Sequence, residues 1–161
     1  MTVSQAPNPF FQAAVDDATG ITTTVTTAGT PLPLVGALFT QRQNNIPSAA
    51  GSPGFLFVPA TGKLTLVGPL MAGKYRIGFT PSRVNGTNAG VKILQIAKGG
   101  VVQGFKSTDT SAATAVDSSM GPALAVVDLV AGDEITVVCD VGTNGHTVIV
   151  KTGVLECERI A

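Results

Sequence analysis

The residues of this chain that can do chemistry are few and scattered. Gly68-Pro69-Leu70-Met71-Ala72-Gly73-Lys74-Tyr75 comes within one residue of the phosphate-binding loop G-x-x-x-x-G-K-[ST]. In that loop a hydroxyl after the lysine holds magnesium, and a following helix presents its backbone amides to phosphate. Here Tyr75 takes the hydroxyl position and the next residues alternate as a strand does, so the segment reads as a β-turn. His146 is the single histidine, and no G-x-S-x-G elbow exists to give it a serine partner. Glu156 and Glu158 share one face of a predicted strand. That spacing suits an acid–base pair or calcium, and equally a solvated stripe that keeps an edge soluble. Asn85-Gly86-Thr87 fits a glycosylation sequon and also a hairpin turn. Cys139 and Cys157 form no CxxC pair, and one histidine does not complete a zinc site with two distant thiols. They read as two small buried residues, with a disulfide as the alternative. No grouping supports an enzyme, a cofactor or a metal.

Composition points the same way. The chain has 161 residues, one domain by size, and ten basic residues offset ten acidic ones. A neutral chain has no electrostatic case for nucleic acid or an anionic membrane. No apolar run approaches a membrane span, and the start MTVSQAPNPF lacks the basic region of a signal peptide. Charged residues make up 12%, about half the usual fraction.

The elements that position these residues are β-strands. Residues 1–20 are set apart as an N-terminal arm, with a short helix capped by Asn8 and ended by Gly20. Pro9, Phe10 and Phe11 make it a docking segment or one that folds back on its own domain. From Ile21 to Ala161, short β-rich runs are separated by turn residues. GKYRIGFTP (73–81) alternates, with Tyr75, Ile77 and Phe79 on one face. A polar stretch from Lys106 to Ser119 reads as a loop. Eight to ten strands at this spacing predict an all-β protein, an antiparallel β-sandwich. Some strands are apolar on both faces: in 122–130, Leu124 and Val126 point away from Ala123, Ala125 and Val127. Such strands need a second covering layer, which a neighbouring copy supplies.

GFLFVPATGKLTLVGPLMAGKYRIGF (54–79), VKILQIAKGG (91–100), LAVVDLVAGDEITVVCDV (124–141) and KTGVLECERI (151–160) together resemble the C1q/tumour-necrosis-factor jelly-roll superfamily. The resemblance runs from Ile21 to Ile160. The loop at 106–119 lacks the family's aromatic residues, and no collagen-like stalk is present. The resemblance implies a compact homotrimer that acts by binding, with Tyr75, Ile77, Phe79, Leu124 and Val126 in core and trimer packing. Such a trimer without a signal peptide also resembles decoration (cement) proteins of tailed bacteriophages. The expectation is therefore a virion protein made in the host cytoplasm and seated on the capsid exterior, with the major capsid protein as partner through Pro9, Phe10 and Phe11. The alternative is the receptor-binding head of a phage fibre or spike.

Overall fold

The computed structural model describes residues 10–36, 39–44, 54–68, 71–111 and 116–161. In chain order its strands are β1 (Phe10–Val25), β2 (Leu32–Pro33), β3 (Phe39–Asn44), β4 (Phe55–Val58), β5 (Lys63–Leu66), β6 (Gly73–Asn85), β7 (Gly90–Lys98), β8 (Val101–Ser111), β9 (Ala123–Leu129), β10 (Glu134–Val141) and β11 (His146–Arg159). They pair antiparallel in the order β3-β1-β11-β6-β9-β8-β7-β10-β5-β4, with β2 on β10. The order divides into two layers. One is β3-β1-β11-β6-β9; the other runs from β8 to β4, and a single residue pair, Phe105 opposite Leu124, joins them.

Alternation builds the core between the layers. On β6, Tyr75, Ile77 and Phe79 point inward and are fully buried. Ala123, Ala125, Val127 and Leu129 of β9 lie beside them in the same layer, and Leu94 and Ile96 of β7 belong to the opposite layer. Six rings gather at one end. Phe11 stands 6.1 Å from Phe55 and 5.4 Å from Phe57, while Phe55 meets Tyr75 edge-on at 5.5 Å. Phe39 bridges Phe57 and Phe79. These are the tilted and edge-to-face geometries that aromatic quadrupoles favour. The Tyr75 hydroxyl donates to the Met71 carbonyl at 2.7 Å, and burial pushes its pKa up to about 12.

Three expectations need correction. The predicted helix in the first twenty residues is a strand from Phe10 on; Asn8 and Pro9 lie outside the described residues. Phe10, Phe11, Ala14 and Val15 satisfy a helical period, but Phe11, Ala13 and Val15 equally satisfy a period of two. A segment this short is a marginal helix, whereas β3 and β11 flank it and bond its backbone on both edges. The boundary expected at residue 20 is likewise absent, since β1 runs through it. There the Asp17 carboxylate accepts from the Thr19 and Gly20 amides, and Gly20 takes φ +74°, which lets the strand bulge and resume pairing at Ile21. Third, the loop expected from Lys106 is strand as far as Ser111, paired with Gly90–Leu94.

Candidate functional site

The outer face of the layer β3-β1-β11-β6-β9 carries the most exposed apolar surface near its β9 edge. Leu124 and Val126, which alternate outward on β9, are 40% and 58% exposed, and Phe105 beside them on β8 is 79% exposed. Together with Arg76, Gly104 and Ala125 they line an apolar hollow of about 390 Å³. Further across the face the surface turns polar. Arg76 and Glu158 make an ion pair at 2.6 Å, and the Gln12 amide donates to Glu156 at 3.0 Å. Glu156 and Glu158 thus serve as cross-strand partners on this face.

The residues expected to act here separate into two groups. Leu124 and Val126 face solvent, whereas Tyr75, Ile77 and Phe79 are wholly in the core. Of the expected docking residues, Phe11 is fully buried, Phe10 faces outward and is half-buried, and Pro9 lies outside the described residues. Adjacent strand residues point to opposite faces, so one phenylalanine is committed to the core. Phe105 was not singled out by sequence; a lone apolar residue between Gly104 and Lys106 in a polar run is the signal that marks it.

The other chemical candidates find local roles. In the segment resembling a phosphate loop, Met71 is buried, and the Lys74 amide donates to the Ala161 carbonyl at 2.7 Å. Pro69 and Leu70 lie outside the described residues. The His146 amide donates to the Thr143 carbonyl in the turn before β11. Asn85 of the sequon is 4% exposed and its amide donates to Asp117, which leaves it closed to a glycosylating enzyme. Among the described residues no group of three or more histidine, cysteine or acidic side chains is placed to hold a metal.

Both cysteines are buried and free. Cys157 lies opposite Phe11 on β11, whereas Cys139 on β10 lies against Thr23, whose partner on β11 is Val148. Nine residue steps of strand separate Val148 from Cys157, about 30 Å, far beyond the roughly 7 Å a disulfide spans. Burial pushes the Cys139 thiol up to about 11 and the Cys157 thiol higher still. A thiol reagent is expected to titrate neither cysteine in the native protein and both in denaturant. Fast native reaction of either one would contradict this placement.

Asp117 collects three donors from two strands, Arg83 and Asn85 of β6 and Lys151 of β11. Arg83 binds it at 2.8 Å, Lys151 at 2.9 Å and Asn85 at 2.8 Å. The Arg83 guanidinium, then the Lys151 ammonium, hold its carboxyl down at about 2. Because the folded value lies below the unfolded one, these contacts favour the native state fully above about pH 4. Their contribution disappears as pH falls through about 2. Asp117→Asn is expected to remove this acid step, read as chemical-shift changes at the Arg83 and Lys151 side chains; an unaltered titration would refute it.

No protein-family model and no curated protein matches the sequence. Solved structures do match in fold. The Eiger TNF of S. frugiperda aligns with TM-score 0.57 at 12% identity, covering 95% of this chain and 94% of that one. The globular domain of zebrafish complement 1qA aligns with TM-score 0.54 at 17% identity, covering 95% and 98%. Murine APRIL at pH 5.0 aligns with TM-score 0.54 at 10% identity, covering 94% and 99%. The fold is therefore the TNF/C1q-like jelly roll. The strand expected to be a separate arm lies within this fold, paired between β3 and β11.

Proposed function

We propose that this chain is a homotrimeric jelly-roll module that works by surface contact, and that it decorates the exterior of a bacteriophage capsid. The observation that carries the trimer is the outward apolar row of Leu124 and Val126 with Phe105 beside it. Large apolar side chains side by side in water mark a surface that another chain covers. A second copy of the same fold, covering it around a three-fold axis, would remove the strip from water in every protomer at once.

The capsid setting rests on the sequence: a short chain of zero net charge with no grouping suited to catalysis, and a resemblance to phage virion proteins. With Phe11 in its own core and the outer face of β1, β6, β9 and β11 given to the trimer, contact with the major capsid protein falls to the surfaces left open. The test is the copy number in purified particles, measured by quantitative mass spectrometry against the major shell protein. A ratio comparable with that protein supports decoration. A few trimers per particle would overturn it in favour of a fibre or spike head that recognises a cell surface.

A further inference from the structure

We infer that the trimer closes through one asymmetric contact: Phe105 of each copy enters a hollow on the next copy between Phe10 and Leu124 over Gly78, and Lys106 pairs with Glu156 at its rim. This rests on the homotrimer proposed above and specifies what meets what.

Phe105 is the most exposed large apolar side chain among the described residues, at 79%. Its position is fixed by a built irregularity. Between Leu94 opposite Ser107 and Ile96 opposite Gln103, residues 104–106 of β8 stand against Gln95 alone. Gly104 takes φ +66°, and a Cβ there would lie 2.1 Å from the Leu124 carbonyl oxygen. Glycine is thus required for the strand to bulge against β9, and the bulge holds Phe105 outward. An exposed aromatic ring with only two side-chain torsions to fix on docking has the character of an interface anchor.

A receiving shape lies on the same face two strands away, sharing Arg76 and Leu124 with the hollow that Phe105 lines. Phe10, Gly78 and Leu124 contribute to a hollow of about 270 Å³ whose rim carries Arg76, Glu156 and Glu158. Gly78 leaves its floor without a side chain, and a Cβ there would already touch Leu124 at 3.2 Å. The rim bears two carboxylates and one guanidinium. Arg76 is committed to Glu158, and Glu156 holds only the neutral Gln12 amide among the described contacts. Lys106, next to Phe105, has no ion-pair partner among the described residues. The protrusion therefore brings one unpaired positive charge to a hollow with one excess negative charge. Around the three-fold axis proposed above, each copy gives Phe105 to one neighbour and receives it from the other, so the contact runs head-to-tail and closes as a ring.

The full chain tests this by cysteine pairing and charge exchange, because both native thiols are buried. Oxidation of the Lys106→Cys/Glu156→Cys double variant is expected to give a covalent ladder ending at three chains, with neither single variant cross-linking. Lys106→Glu is expected to raise the dissociation constant about tenfold or more, and adding Glu156→Lys to restore it. Gly78→Val, which fills the hollow, is expected to weaken association while circular dichroism shows the protomer still folded. A trimeric wild type whose double-cysteine variant gives no ladder, or whose charge reversal is not rescued, would overturn this contact and leave the trimer standing. Cross-linking of a single variant to a pair of chains would also overturn it, by indicating a two-fold contact. A monomeric wild type would overturn both.

Discussion

Replacing Phe11 with alanine is expected to lower the stability of the folded protein by about 3–5 kcal/mol. Phe11 is fully buried and its ring meets those of Phe55 and Phe57, which belong to the opposite layer. Truncation removes the apolar transfer energy of a ring and leaves a cavity that β1, hydrogen-bonded on both edges, cannot close. In a domain of this size the loss lowers the melting temperature by roughly 10 °C. Thermal unfolding followed by circular dichroism measures it, and a change within the scatter of surface substitutions would remove Phe11 from the core. Deleting residues 10–20 goes further. It strips β3 and β11 of the strand between them and exposes the β11 edge, so the expected product is an unfolded or aggregated chain. A deletion variant that folded and trimerised would restore the reading of this segment as a separable arm.

Val126→Asp is expected to have the opposite pattern, an intact protomer and a lost assembly. Val126 is 58% exposed in the single chain, so the substitution costs the protomer little. In a trimer that covers β9, it places a carboxylate without a partner in each apolar contact. A desolvated, unpaired charge costs about 3 kcal/mol or more, which raises the dissociation constant at least about a hundredfold. Sedimentation velocity of the variant is expected to show monomer under conditions where the parent is assembled. A variant as fully assembled as its parent would remove the β9 face from the interface.

The strands easiest to read were those whose core-facing residues recur with a period of two. The run at 73–81 is strand throughout and continues to Asn85, and the run at 122–130 is strand to within a residue at each end. Strand β1 was obscured because its apolar residues fit two periods at once, and only the neighbouring strands, distant in sequence, decide between them. The second half of β8 was obscured by composition. Residues 106–111 are a lysine, an aspartate and four hydroxyl residues, and a strand with so little apolar content gives no periodic signal.

The candidate site was legible in the same measure. The outward row of Leu124 and Val126 could be seen in the alternation of β9, because both of its faces are apolar. Phe105 could not be placed, since its exposure depends on the bulge at Gly104, a consequence of strand pairing. The Asp117 anchor joins residues 34 positions apart in one direction and as many in the other, a contact that only the folded chain creates. Tyr75, Ile77 and Phe79 were correctly set on one face, and that face is the interior.

If a second and third copy cover the apolar face of β9, the native mass is that of three chains. Sedimentation equilibrium or light scattering of the purified full chain, over a wide range of concentration, is expected to give three times the 16.2 kDa chain mass. Because apolar area dominates the contact, that mass is expected to persist at high salt. A mass equal to one chain throughout the concentration range would contradict the account.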